Sequence, residues 1–216
     1  MLEIENLNVS IGPIPILRDS ALSVKSGEMV GLIGPNGAGK TTMMRAIMGL
    51  LATDAKRMDF DHFKLPATPP QDRARIGIGY MPEDRKLVPH LSAEENIMIP
   101  VWAVDIPDYE DRLKWIYDLM PEVREFRGGS ANSLSGGQQK LAALARALMM
   151  GGRLILLDEP SEGIAPVLAR RISEILRDLK SEGLSILIAE SNDHHCADLL
   201  DRTYRIERGA THLAIN

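Results

Sequence analysis

The spacing of apolar positions changes several times along the chain, and each change predicts a new element. Leu2, Ile4 and Leu7 alternate with polar residues, a Gly/Pro break falls at 12–15, and Ile16, Leu17, Leu22 and Val24 follow. This pattern predicts short antiparallel strands. SGE at 26–28 reads as a turn, and MVGLIG at 29–34 is apolar without alternation, as a strand covered on both faces must be. From Thr41 to Leu51 the period becomes helical, with Met44, Ile47, Met48 and Leu51 on one stripe. Residues 52–75 mix charges with Pro66, Pro69 and Pro70 and predict edge strands and loops, whereas IGIGYM at 76–81 predicts a buried strand. Residues 92–126 read as helical material interrupted by Pro100, Pro107 and Pro121. Leu141, Leu144, Ala145 and Leu148 then form an i, i+3, i+4, i+7 stripe on a helix expected to end near Gly151. LILL at 154–157 and LSILIA at 184–189 predict two more buried strands, with a helix between them carrying Ile172, Ile175, Leu176 and Leu179 on one face.

Buried strands alternating with amphipathic helices predict an α/β domain. A chain of 216 residues with 44% hydrophobic composition suffices for one well-buried domain with a smaller subdomain attached. The 25 basic residues against 30 acidic ones leave a net charge of -5, which gives no long-range attraction to a phosphodiester backbone. Nucleic acid is therefore not an expected partner. No apolar run approaches the ~20 residues that cross a bilayer. The opening MLEIENLNVS has acidic residues where a secretory signal needs a basic start, so a cytosolic location is expected. Cys196 is the single cysteine and reads as a packing residue.

Candidate chemistry begins with GPNGAGKTT at 34–42, which fits G-x-x-x-x-G-K-[ST] between a buried strand and an amphipathic helix. In this pattern Gly34, Pro35, Asn36, Gly37, Ala38 and Gly39 form a loop whose N–H groups can turn inward around phosphate oxygens. The helix beginning at Lys40 adds its positive end. Lys40 is expected to neutralise the β- and γ-phosphates, Thr41 to ligate Mg²⁺, and Thr42 to lie with them at the helix start. LILLDEP at 154–160 places Asp158 and Glu159 at the end of a buried strand, the edge where ligands collect in open sheets. Asp158 is read as a metal ligand and Glu159 as the general base towards water.

SLSGGQQK at 133–140 lies just ahead of the striped helix. Ser135 offers a hydroxyl, Gly136 and Gly137 offer bare N–H groups, Gln138 follows, and a helix start again favours an anion. LSGGQ resembles the signature of ABC ATPases, in which two domains meet head to tail and this element of one caps the γ-phosphate held by the other. IGIGYMPEDRKLVPHLSAEENI at 76–97 and DEPSEGIAP at 158–166 further resemble the ATP-binding subunits of branched-chain amino acid importers and their relatives. The resemblance implies a P-loop NTPase core of ABC ATPase type at 1–83 and 151–216, with an antiparallel β subdomain, and a helical subdomain at 84–150. It further implies ATP and Mg²⁺ as ligands and a second ATP-binding subunit, identical or different, as partner. Transmembrane permease subunits would rest near Glu83–Val88, a solute-binding protein would act indirectly, and the chain would sit on the cytoplasmic face of the membrane.

Several positions depart from the family pattern. Ser191, in LIAESND at 187–193, stands where most relatives have a histidine that contacts the γ-phosphate. His194 and His195 are expected to start the next helix and point elsewhere. Ile11 occupies the place of an aromatic that stacks on adenine, and Glu83 that of a glutamine linking Mg²⁺ to the permease groove. Ala165 replaces an aspartate, as the SEGIAP wording implies. These changes suggest weakened nucleotide affinity, and the alternative is a non-hydrolysing, ATP-dependent clamp or regulatory subunit. A chromosome or repair ATPase conflicts with the lack of a long heptad insertion and of cysteine zinc sites. A small-molecule kinase leaves SLSGGQQK without a task.

Overall fold

The computed structural model describes residues 1–104 and 106–214; positions 105, 215 and 216, which the expected ranges 84–150 and 151–216 include, lie outside the described residues. The N-terminal alternation forms a hairpin of β1 (Leu2–Ile11) and β2 (Ile14–Val24), whose register runs from Leu2↔Val24 to Ile11↔Ile14. At 10 and 11 residues these strands are longer than expected. Pro13 and Pro15 do not stop the pairing, because Gly12 at φ +58° makes the turn and both prolines lie at its margin. With β4 (Arg57–Phe60) and β5 (Phe63–Lys64) the hairpin forms an antiparallel sheet in the order β2-β1-β4-β5.

A second sheet holds the unalternating apolar strands together with two mixed strands at one edge. It comprises β3 (Met29–Ile33), β6 (Ile78–Met81), β7 (Leu154–Asp158), β8 (Ser185–Glu190), β9 (Arg202–Glu207) and β10 (Ala210–Leu213). Their order is β10-β9-β3-β8-β7-β6, antiparallel only at the β10 edge. Both faces of β3, β7 and β8 are covered, which is why these three strands show no alternation, whereas β9 and β10 carry exposed positions. Val30, Leu32, Leu154, Leu156 and Leu187 pack towards the hairpin and α1 (Lys40–Ile47). Met29, Ile155, Ile186 and Ile188 pack against α6 (Gly136–Met150) and α7 (Pro166–Ser181).

The remaining helices are α2 (Pro70–Arg75), α3 (Ala93–Ala103), α4 (Tyr109–Leu119) and α5 (Pro121–Phe126). Three expectations need correction. Residues 52–75 contain α2, because Pro70 occupies the first helical position, where its missing N–H has no helical partner to lose. Pro100 lies inside α3 rather than interrupting it; a Ser92/Glu95 capping box starts that helix and the Pro100 carbonyl still accepts from Val104 N. No helix starts at His194. Asn192 Oδ1 takes the His194 N–H, Asp193 O takes those of Cys196 and Ala197, and Asp201 N is already bonded to Met29 O at the approach to β9, so only turns fit. Cys196 is buried, and burial pushes its thiol up to about 12, which suits a packing role.

Gly79 of β6 sets how closely α6 can approach the sheet. A Cβ there would lie 2.2 Å from Ala147 O and 2.9 Å from Gly151 Cα, both backbone atoms. We expect Gly79→Ala to lose about 1–3 kcal/mol in urea denaturation. Gly128→Ala, whose Cβ would meet nothing within 4 Å, should stay within about 0.5 kcal/mol of the parent. Equal stability of the two variants would contradict this packing.

Candidate functional site

Because β3, β8, β7 and β6 run parallel, their carboxyl ends open on one edge of the sheet. The register sets Ile33 beside Glu190 and Asp158 beside Ala189, so the turns after β3, β7 and β8 are neighbours although far apart in sequence. β8 lies between β3 and β7, which seats Ser191 between the glycine loop and Glu159.

The glycine loop has the close approaches that glycine permits. Gly37 and Gly39 take φ of +79° and +112°, and a Cβ on Gly34 would lie 2.2 Å from Ile206 O. The loop curls around the Lys40 ammonium, which donates to Gly34 O at 2.7 Å and Pro35 O at 3.2 Å. Lys40 Nζ also lies 2.9 Å from Glu159 Oε1, and both side chains are almost wholly buried. Ser191 completes the group. Its N–H donates to Glu159 Oε2 at 3.1 Å, and its hydroxyl lies 2.9 Å from Glu159 Oε1 and 2.8 Å from Asn36 Oδ1, serving one acceptor at a time.

The carboxylates here are unequal. Burial alone would push the Glu159 carboxyl up, but hydrogen bonds from Lys40, Glu190 and Ser191 hold it below the usual range. Glu190 is pushed up to about 7 by burial, by its hydrogen bond to Glu159 and by the Glu159 charge, while its Oε1 accepts from Ser161 N at 2.9 Å. Asp158 is fully buried and rises to about 6, chiefly by desolvation, with Glu83 and Glu159 as nearby like charges. Its oxygens accept from Thr41 Oγ1 at 3.2 Å and Tyr80 Oη at 3.3 Å. Burial and Asp158 push the Tyr80 phenol up, which keeps that proton in place.

A cleft of about 410 Å³ runs along this edge, lined by Asn36, Gly37, Gly39, Lys40, Thr41, Thr42, Glu83 and Glu159. Thr41, Asp158 and Glu83 are hard oxygen donors suited to Mg²⁺. Among the described residues no group of three or more His, Cys, Asp or Glu could hold a metal unaided. Ile11 is not brought to the cleft: it sits half-exposed at the hairpin end opposite Ile14, and Ile16 lines the cleft instead. None of Ser135, Gly136, Gly137 and Gln138 lines this cleft either. Ser135 caps α6 in a reciprocal box, its hydroxyl accepting from Gln138 N at 3.3 Å and its N–H donating to Gln138 Oε1 at 2.9 Å.

Two nearby features refine the sequence reading. His195, expected to point elsewhere, lines a smaller cleft of about 230 Å³ with Asn36, Glu159, Glu190 and Ser191. A larger, mainly apolar groove of about 520 Å³ lies between Met48, Leu51, Pro82, Lys86, Pro100 and Met150. Sequence reasoning missed Glu190, Tyr80 and Lys140. A signal for Lys140 was present: it directly precedes the apolar run LAALA of α6, where a charge must find partners.

Residues 17–162 match the family model described as ABC transporter. BraG, a high-affinity branched-chain amino acid transport ATP-binding protein of Pseudomonas aeruginosa, is 34% identical over 97% of this chain and 90% of its own length. LptB, the lipopolysaccharide export system ATP-binding protein of Escherichia coli, is 36% identical over 90% of this chain and 81% of its own. Among solved structures, a dimeric post-hydrolysis state of the ATP-binding cassette MJ0796 bound to ADP and Pi superimposes with a TM-score of 0.85. It is 26% identical and covers 98% of this chain and 96% of that one.

Asp158 predicts a pH effect for protein kept free of nucleotide and metal by a chelator. Its pKa is raised in the folded state, so folding takes up protons between about pH 4 and 6, and stability falls as pH rises through that window. Asp158→Asn should therefore stabilise the protein by on the order of 1–3 kcal/mol near pH 7.5, with the benefit fading towards pH 4. Destabilisation at both pH values in thermal melts would contradict the buried-charge assignment.

Proposed function

The chain belongs to the ABC transporter family of ATP-binding ATPases, and from that premise we propose that it is the motor subunit of an importer for branched-chain amino acids or related small solutes. The motor part of this reading is carried by one observation, the Lys40, Thr41, Asp158 and Glu159 constellation gathered at the sheet edge, and the cargo is supported by the likeness to BraG. The glycine loop would hold the polyphosphate of ATP, and Lys40 would exchange its contact with Glu159 for phosphate oxygens. Glu159, released from Lys40 but still oriented by Ser191, would accept a proton from the water that attacks the γ-phosphorus. Thr41, Asp158 and Glu83 would hold Mg²⁺, whose charge offsets that of the phosphates.

Ser135, Gly136, Gly137 and Gln138, which do not line their own chain's cleft, would cap the triphosphate held by a second ATP-binding subunit. No described helix is long and apolar enough to cross a membrane. Transport would therefore require transmembrane permease subunits, which the apolar groove beside Pro82 and Lys86 would receive on the cytoplasmic face. A solute-binding protein would act through those permeases. The likeness to LptB favours a second reading, in which the same motor drives lipopolysaccharide export.

Two experiments test the mechanism and the cargo. Glu159→Gln should lower phosphate release by about 10²–10⁴-fold and accumulate ATP-bound dimers. Equal, negligible rates in parent and variant would instead favour the non-hydrolysing clamp. For the cargo, the chain is reconstituted with the membrane subunits that co-purify with it. Stimulation of ATP hydrolysis by a branched-chain amino acid and its binding protein supports import; stimulation by lipopolysaccharide alone overturns that assignment. Ser135→Arg should abolish ATP-dependent dimerisation in light scattering while ATP binding by the monomer survives, and unchanged dimerisation would contradict the capping geometry.

A further inference from the structure

Lys140 is the buried charge for which the reaction has so far supplied no task. It lies one turn into α6, five residues after Ser135, and is only 2% exposed. Its ammonium donates to the main-chain carbonyl of Glu159 at 2.5 Å and to that of Glu162. Burial pushes its pKa down, and the carboxylates of Glu190, Glu162 and Glu159 oppose that effect. A lysine buried at such cost and spent on two backbone oxygens fixes the path of the chain rather than binding solvent or an exposed ligand.

The segment it grips is unusual. Glu159 has a φ of +50°, a left-handed conformation that a residue with a long side chain adopts only when its surroundings impose it. Four hydrogen bonds hold it there. The Glu159 N–H donates to Ala189 O, its carbonyl receives Lys140 Nζ and Glu162 N, and Glu190 pins the next turn through Ser161 N. This conformation turns the Glu159 carboxylate towards Lys40 and Ser191. The ammonium also joins that turn to the helix whose first residues follow Ser135.

We propose that Lys140 is a positioning residue for hydrolysis, holding the Glu159–Glu162 turn with Glu159 in its left-handed conformation and tying the base rigidly to the helix that Ser135 caps. This inference rests on the reading of Glu159 as the base. Any shift of α6 when Ser135 meets a partner's nucleotide is thereby passed directly to the backbone that aims Glu159.

A double-mutant cycle tests the proposal, with Lys140→Met, Glu159→Gln and the combination assayed for phosphate release, ATP affinity and thermal stability. Lys140→Met should lower kcat by roughly 10–100-fold with KM for ATP changed less than about threefold, since it misdirects the base without touching the phosphate loop. In the Glu159→Gln background the same change should lower the residual rate by less than about threefold, because there is no base left to aim. An equal loss in both backgrounds, or a kcat within about twofold of the parent, overturns the role of Lys140. No effect of Glu159→Gln alone overturns instead the reading of Glu159 as base. Should the methionine variant not fold, Lys140→Gln, whose amide can still donate to one of the two carbonyls, carries the same cycle with a smaller expected loss in kcat and the same criterion of non-additivity.

Discussion

The site depends on the buried pair between Lys40 and Glu159. An ammonium and a carboxylate, each almost fully removed from water, are tolerable only because each has other partners: two loop carbonyls for Lys40, and Glu190 and Ser191 for Glu159. The pair also sets a switch. Lys40 cannot neutralise a triphosphate and hold Glu159 with equal strength, so bound polyphosphate competes with the carboxylate for the ammonium. In the proposed mechanism that competition delivers the base: the anion that fills the loop draws Lys40 away, and Ser191 is left to hold Glu159 in line.

Topology makes this competition possible. Strand β8 lies between β3 and β7, so its end reaches the loop after one neighbour and the acidic turn after the other. Ser191 and Glu190 therefore stand between the two motifs, and burial with the neighbouring Glu159 charge pushes the Glu190 carboxyl up, favouring the protonated form that can donate to Glu159. Helix α6 contributes from the other side through Lys140, while its last turn lies close against Gly79. Farther along the same helix, Arg146 donates to the carbonyls of Arg85 and Lys86, two residues with left-handed backbones at the edge of the apolar groove. One rigid helix thus touches the capping element, the hydrolytic turn and the groove proposed for the permease.

Much of this was legible in the sequence because the signals were local. GPNGAGKTT, LILLDEP and the unalternating strands each report a backbone form that only a few residue types allow, and the α/β architecture followed from their order. Errors arose where tertiary partners decide. Pro100 looked like a break, yet α3 absorbs it, and Pro70 looked like a loop residue when it starts a helix. Ile11 was assigned to adenine by its place in a pattern, and it is Ile16 of the same hairpin that lines the phosphate cleft. His195 shares the lining of a small cleft with Glu159, in a segment that forms turns rather than the expected helix. The Glu159–Glu190 contact could not be read at all, since it depends on the register of β7 against β8.

The central claim concerns where the Lys40 ammonium goes when nucleotide is present, and a crystal structure with a slowly hydrolysed ATP analogue and Mg²⁺ addresses it directly. The account predicts that Lys40 Nζ moves from Glu159 onto the β- and γ-phosphate oxygens, while Ser191 keeps its backbone bond to the Glu159 carboxylate. Lys40 still paired with Glu159 beside a fully occupied phosphate loop would contradict it.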